Sequence, residues 1–190
     1  NTKVIFPSSA AVYGNAPIPH KESTDCNPVS QYGKSKLRAE KYLVQQAPQD
    51  SYFIVRLFNV YGPGGSSGVN KFCKKITKYD DVVVFGNGLQ TRDYVYVSDA
   101  VDALLLGLTN SGLYNVGTGQ DVSTLSLIET IRNMTRCKPD IKFTIPNAGE
   151  IARSKADITK ISQLGWSPKI SLHDGIQLVL DSIGFKDLLA

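Results

Sequence analysis

Val4-Ile5-Phe6 and Tyr52-Phe53-Ile54-Val55-Arg56-Leu57-Phe58 are apolar runs, and between them residues 30–46 place apolar and small side chains at helical spacing. Leu37, Ala39, Leu43 and Val44 mark that spacing, Ser30 stands in front as an N-cap and Pro48 closes the segment. Each apolar run reads as a strand, the first as one buried on both faces. Strand, helix and strand within about 55 residues form a βαβ unit, so the two strands are expected to be parallel.

The alternation continues. The loop Gly62-Pro63-Gly64-Gly65-Ser66-Ser67-Gly68 leads to a helix over 69–78 and a strand, Val82-Val83-Val84-Phe85. Gly86-Asn87-Gly88 reads as a turn before another strand, Asp93-Tyr94-Val95-Tyr96-Val97. Ser98 is expected to cap a helix reaching about residue 108. A strand over 113–116, a helix over 125–136, a strand over 141–145 and short helices over 157–164 and 171–183 complete an α/β pattern. A parallel strand beginning at residue 4 would leave an unpaired edge, which predicts that further strands precede it.

Composition removes several classes. With 21 basic and 17 acidic residues spread along the chain, the net charge of +4 forms no nucleic-acid stripe and suits a small anionic ligand. No run approaches the roughly 18 apolar residues of a membrane span. The first residues show no initiator Met and no signal-peptide pattern. Cys26, Cys73 and Cys137 are far apart and form no CxxC, as expected of thiols in the reducing cytoplasm. His20 and His173 have no Cys or His nearby, so no metal site is expected.

The chemistry concentrates early. In Tyr32-Gly33-Lys34-Ser35-Lys36 the phenol and the Lys36 ammonium lie four residues apart, one turn along one helix face. A neighbouring ammonium favours a phenolate, which makes a tyrosine a usable general base. A chain with nine tyrosines forms such a pair readily by chance, so the pair alone proves nothing. Ser8-Ser9-Ala10-Ala11-Val12-Tyr13-Gly14, however, follows the first strand, and α/β folds place ligand-contacting groups at the carboxyl ends of parallel strands. Ser9, Tyr32 and Lys36 then form a set of orienting hydroxyl, base and charge partner.

Further segments follow in order: Arg56-Leu57-Phe58-Asn59-Val60-Tyr61-Gly62-Pro63, Gly86-Asn87-Gly88-Leu89-Gln90-Thr91-Arg92-Asp93-Tyr94-Val95, Tyr114-Asn115-Val116-Gly117-Thr118-Gly119 and Leu164-Gly165-Trp166-Ser167-Pro168. Across essentially its whole length the chain resembles the extended short-chain dehydrogenase/reductase family, within it the NAD-dependent sugar-nucleotide epimerases and dehydratases, and most of all the UDP-hexose 4-epimerases. The resemblance implies the C-terminal part of a Rossmann-like parallel sheet, its N-terminal strands and Gly-rich phosphate loop lying upstream, plus a small α/β substrate-binding lobe. On this reading residues 1–62 are the remainder of the NAD-binding domain and 63–190 mainly the substrate lobe with interleaved Rossmann strands.

The resemblance also implies roles. Tyr32 would be the base on the sugar hydroxyl, Lys36 would favour its phenolate and hold the nicotinamide ribose, and Ser9 would bind the same sugar oxygen. Ser8, Tyr32, Lys36 and Phe58 would contact NAD. Asn59, Val69, Val84, Phe85, Arg92, Glu150, Arg153 and Ser154 would line the UDP-sugar site, with core packing the plainer reading for the valines and Phe85. Family dehydratases carry an Asp-Glu pair where Ala10 and Ala11 stand, and the decarboxylases a Glu in the same stretch, so epimerisation through a keto sugar is expected here. The family often has a phosphate-binding Arg where Asn147 stands, leaving Arg153 to substitute. Ser154 aligns with a gate to the hexose pocket, and its small side chain leaves room for an N-acetyl group. Family members commonly form homodimers through the helix that bears the base, so a homodimer of the full-length form is implied. The alternatives are another epimerase or a keto-sugar reductase of the same family, or a non-catalytic sugar-nucleotide-binding fragment.

Overall fold

The computed structural model describes residues 2–146 and 149–185. In chain order these form β1 (Val4–Ser9), α1 (Gln31–Gln46), β2 (Tyr52–Leu57), β3 (Asn59–Tyr61), α2 (Gly68–Thr77), β4 (Val82–Phe85), β5 (Thr91–Arg92), β6 (Tyr94–Tyr96), α3 (Val97–Leu105), β7 (Gly112–Val116), β8 (Val122–Ser123), α4 (Thr124–Thr135), β9 (Ile141–Thr144), α5 (Thr159–Ser162) and α6 (Leu172–Ser182). The expected βαβ unit forms: β1 and β2 are parallel, Val4 facing Tyr52 and Ser9 facing Leu57. β7 adds parallel to the far side of β2, giving the order β1-β2-β7.

The central strand of that sheet is the buried one. Phe53, Ile54 and Val55 of β2 are fully covered, as both faces of an inner parallel strand must be. β1 differs from expectation. Val4 is exposed and Ile5 and Phe6 are only partly covered, because among the described residues β1 pairs on one side alone. Around the sheet lie three smaller pairings: β3 with β6 and β4 with β9, both parallel, and β5 with β8, antiparallel. The turn at Gly86-Asn87-Gly88 therefore does not join two paired strands; β4 and β6 each find a distant partner.

Two further boundaries differ. Ser98 lies inside α3, which starts at Val97 after Tyr96 with no side-chain cap, and the helix tightens into a 3-10 turn over Leu106–Leu108. The cap at Ser30 does form, its Oγ accepting from the Gly33 amide at 3.0 Å. Ser67, Ser123 and Ser171 cap α2, α4 and α6 in the same way.

Among the described residues the apolar core falls into three clusters. One gathers Val69, Ile76, Val84, Leu127, Ile131 and Leu180 between α2, α4, α6 and β4. A second joins Phe53, Val55, Val95, Val116, Ile161 and Trp166 against the three-stranded sheet. A third, with Val12, Tyr13, Phe58 and Ala156, sits beside the turn that follows β1.

Candidate active site

The site begins where β1 ends. Ser9 opens a 3-10 turn, Ala10–Val12, and its Oγ accepts from the Ala11 amide at 3.2 Å. Among the described residues no acceptor takes the Ser9 hydroxyl proton, so that proton is available to a ligand. The first turn of α1 packs directly on this 3-10 turn. A Cβ at Gly33 would stand 2.5 Å from the Ala11 carbonyl oxygen, so only glycine permits the approach. Tyr32 precedes that glycine in the same first turn of α1.

Lys36 completes the set. Its Nζ donates to the Pro7 carbonyl at 2.8 Å and lies 5.8 Å from the centroid of the Tyr32 ring. It also stands 5.1 Å from the Phe6 ring centroid. Tyr32 is 56% exposed, so its phenol faces open space rather than the core. Tyr32 and Lys36 thus lie together at the start of α1, and Lys36 reaches β1, the strand that Ser9 ends.

Beneath them lies a polar network that sequence reasoning missed. Ser8 faces Arg56 across the β1–β2 pairing, and Arg56 faces Asn115 across β2–β7, so the three form one row across the sheet. Arg56 donates to Glu40 of α1 through Nη2 at 2.7 Å and through Nε at 3.1 and 3.2 Å. The Ser8 hydroxyl donates to the same carboxylate. Arg56 also donates to the Tyr13 hydroxyl at 2.9 Å, which donates to the Asn115 side-chain oxygen at 2.6 Å. Burial alone would lower the Arg56 pKa, but the bonds it donates to Glu40 and Tyr13 outweigh it and hold the guanidinium above its ordinary value. Burial pushes the Tyr13 phenol up to about 12. The signal for this network was in the sequence: an arginine inside an otherwise apolar central strand needs a partner.

A second hub was also missed. Asp93 is completely buried and accepts four hydrogen bonds, from the Thr118 amide and hydroxyl at 2.7 Å each, the Gly119 amide at 3.0 Å and the Ala156 amide at 3.1 Å. Burial raises its pKa against those bonds. It joins β6, the turn after β7 and the segment leading to α5. Gly117 beside it has no room for a side chain, since a Cβ would meet Asp93 at 2.7 Å and Ala156 at 2.8 Å.

The residues read as a sugar-nucleotide site divide in two. Phe85, Glu150 and Arg153 line, with Gln90, an open cleft of about 590 Å³. Arg92 reaches Glu150 at 3.6 Å and donates to the Thr91 carbonyl at 2.8 Å; burial lowers its pKa, opposed by Tyr94 and Glu150. Arg153 is held 3.3 Å from Asp121, which also accepts from Thr91 at 2.6 Å. Burial would raise the Asp121 pKa, but Thr91 and Arg153 bring it below the usual carboxylate range. Val69 and Val84, by contrast, are wholly buried in the first core cluster, and core packing is their role in the fold. Ser154 is buried and its amide donates to the Thr91 carbonyl at 3.2 Å. The Asn59 amide donates to the Asp93 carbonyl at 2.9 Å. Ser8 and Phe58, expected at the cofactor, turn inward: the Ser8 hydroxyl is committed to Glu40, and the Phe58 ring packs 6.4 Å from Tyr13 and 6.2 Å from His20. Asn147 lies outside the described residues.

Comparison with known proteins fits this geometry. Residues 1–117 match the model of the NAD dependent epimerase/dehydratase family. A putative UDP-glucose 4-epimerase of Methanocaldococcus jannaschii is 38% identical over 94% of this chain and 62% of its own length. The chain thus spans about three fifths of the curated relatives it matches. A UDP-glucose 4-epimerase of Thermotoga maritima, solved with UDP-glucose, superposes with a TM-score of 0.88 at 33% identity, over 96% of this chain and 63% of that one. The UDP-glucose 4-epimerase of Thermus thermophilus, solved as a complex with NAD, gives 0.90 at 30% identity, over 96% and 64%. Ordered motifs, a parallel sheet and these likenesses converge: the chain belongs to the NAD dependent epimerase/dehydratase family.

Proposed function

We propose that the full-length protein interconverts the C4 epimers of a UDP-hexose. The observation that carries the reading is the Lys36 ammonium, tied to the end of β1 and standing 5.8 Å from the Tyr32 ring. A phenol, an ammonium and a free hydroxyl at the carboxyl end of a parallel strand are the donor set that suits a nicotinamide ribose and a sugar alcohol, so these residues fit NAD. When bound, NAD would supply reversible hydride chemistry at the sugar's C4, with Tyr32 and Lys36 holding its nicotinamide ribose. Tyr32 takes the proton from the C4 hydroxyl and gives it back to the same oxygen. Lys36 stabilises the phenolate by charge, and Ser9 donates to the same sugar oxygen.

The turn after Ser9 supports epimerisation over elimination. Ala10 and Ala11 place no acid there to expel a leaving group. Arg153 lines the cleft near Phe85 and Arg92 reaches that cleft's Glu150, so two guanidiniums are at hand for a nucleoside diphosphate, the fork of Arg92 suiting the diphosphate. Residues 1–62 belong, on this reading, to the cofactor domain and 63–190 mainly to the sugar-nucleotide lobe. Ser154 leaves room for an N-acetyl group, Arg153 takes the phosphate role, and the full-length form is a homodimer in the cytoplasm.

Product analysis of the full-length protein with UDP-glucose and NAD tests the reaction. UDP-galactose at constant NADH is expected. No epimer from UDP-glucose, together with steady consumption of added NADH when a UDP-4-keto-hexose is supplied, would overturn the reading in favour of a keto-sugar reductase.

A further inference from the structure

Among the residues of α1 only Gly33 and Glu40 are fully buried. Leu37 packs partly on the third core cluster, while Tyr42 and Val44 face outward. The helix therefore lacks the broad apolar stripe that normally fixes a helix against a sheet. Its rotation is set by two anchors: Gly33 against the Ala11 carbonyl and Glu40 against Arg56 and Ser8. They stand about two turns apart, roughly 10 Å along the axis. Lys36 lies between them and Tyr32 adjoins the first.

Glu40 does more than pair with Arg56. Its carboxylate also accepts from the hydroxyl of Ser8, the residue just before Ser9. One buried carboxylate, 3% exposed, thus touches both the helix that carries Tyr32 and Lys36 and the strand that carries Ser9. For stability alone an apolar pair of similar size would serve as well as a buried ion pair, so the value of this one lies in its geometry. We propose that Glu40 is a positioning residue that holds Tyr32 and Lys36 in register with Ser9, acting through Ser8 and the buried Arg56. The proposal rests on Tyr32 being the base.

Two variants of the full-length protein test it, Ser8→Ala, which cuts the link to the strand and keeps the ion pair, and Glu40→Gln, which keeps the shape and removes the charge. With UDP-glucose and NAD, both are expected to lower kcat about 10- to 100-fold while KM moves less than about threefold, since a misplacement near 1 Å is enough. Circular dichroism and thermal melts establish that both are folded at the assay temperature. Combined, their losses are expected to fall well short of multiplying, because both weaken the one Glu40 anchor between α1 and the sheet. Unchanged kcat in folded Ser8→Ala, or losses that multiply fully, would overturn the proposal; if Glu40→Gln does not fold, Ser8→Ala decides alone. Tyr32→Phe, run alongside, separates the two readings. If it keeps turnover, the base is wrong and both fall; if it abolishes turnover while Ser8→Ala is unaffected, only the positioning role falls.

Discussion

Lys36 donates from Nζ to the Pro7 carbonyl at 2.8 Å, so the charge beside the Tyr32 ring is fixed to β1 rather than left to a free side chain. One of its three hydrogens is used in this way, and two remain for a ligand. Lys36→Met keeps the stem and removes both the charge and the tether. In the full-length protein it is expected to reduce kcat about 10²- to 10⁴-fold with the fold intact, the usual range for a lost acid–base element. Steady-state turnover with circular dichroism on the same sample checks it; wild-type kcat would remove Lys36 from the chemistry.

Arg56→Met leaves the Glu40 carboxylate buried without its cation. Loss of one member of a buried pair costs about 3–5 kcal/mol. Combining it with Glu40→Met removes both charges and is expected to recover most of that loss. Urea denaturation of the single and double variants measures both values. A single variant within about 1 kcal/mol of wild type would show that water already reaches the pair.

Asp93→Asn keeps the shape but exchanges one acceptor oxygen for a donor. Either the Thr118 pair or the Gly119 and Ala156 amides then lose their acceptor. A cost of about 1–3 kcal/mol is expected from buried donors left unpaired, even though the charge no longer has to be buried. Because the Ala156 bond anchors the segment that carries Glu150 and Arg153, slower and weaker sugar-nucleotide binding should accompany it. Denaturation and titration calorimetry on the full-length protein report the two effects; unchanged stability would remove Asp93 as the hub.

His20 gives a pH dependence with a definite sign. It is buried, its ring stacks 4.7 Å from Tyr13, and Nδ1 has no partner among the described residues. Burial lowers its pKa below the ordinary 6.5, opposed by a bond to the Pro17 backbone. The unfolded chain then binds the proton first, so stability falls as pH drops from about 7 through 6.5 towards the folded value. His20→Phe keeps a ring on Tyr13 and has no proton to bind, so its stability should stay flat over that interval. Urea midpoints at pH 7 and pH 5.5 decide; equal slopes for the two proteins would assign the effect to another group.

How much could be read before folding follows from which interactions are local. The helix over 31–46 and its cap at Ser30, the parallel relation of β1 and β2, and the pairing of Tyr32 with Lys36 all rest on contacts within the first 57 residues, where spacing and side-chain type speak directly. The α/β class and the family followed from the same stretch and from the ordered motifs after it. Tertiary structure alone decided the partners of β4 and β6, the burial of Val69 and Val84, and the union of Ser8, Glu40, Arg56 and Asn115 in one network. Those residues lie up to about a hundred positions apart, and chain spacing carries no record of which distant polar groups a sheet will bring face to face. Local periodicity determined what each segment is; only the assembled sheet determined which distant polar groups meet, because burial forces each charge to find a partner.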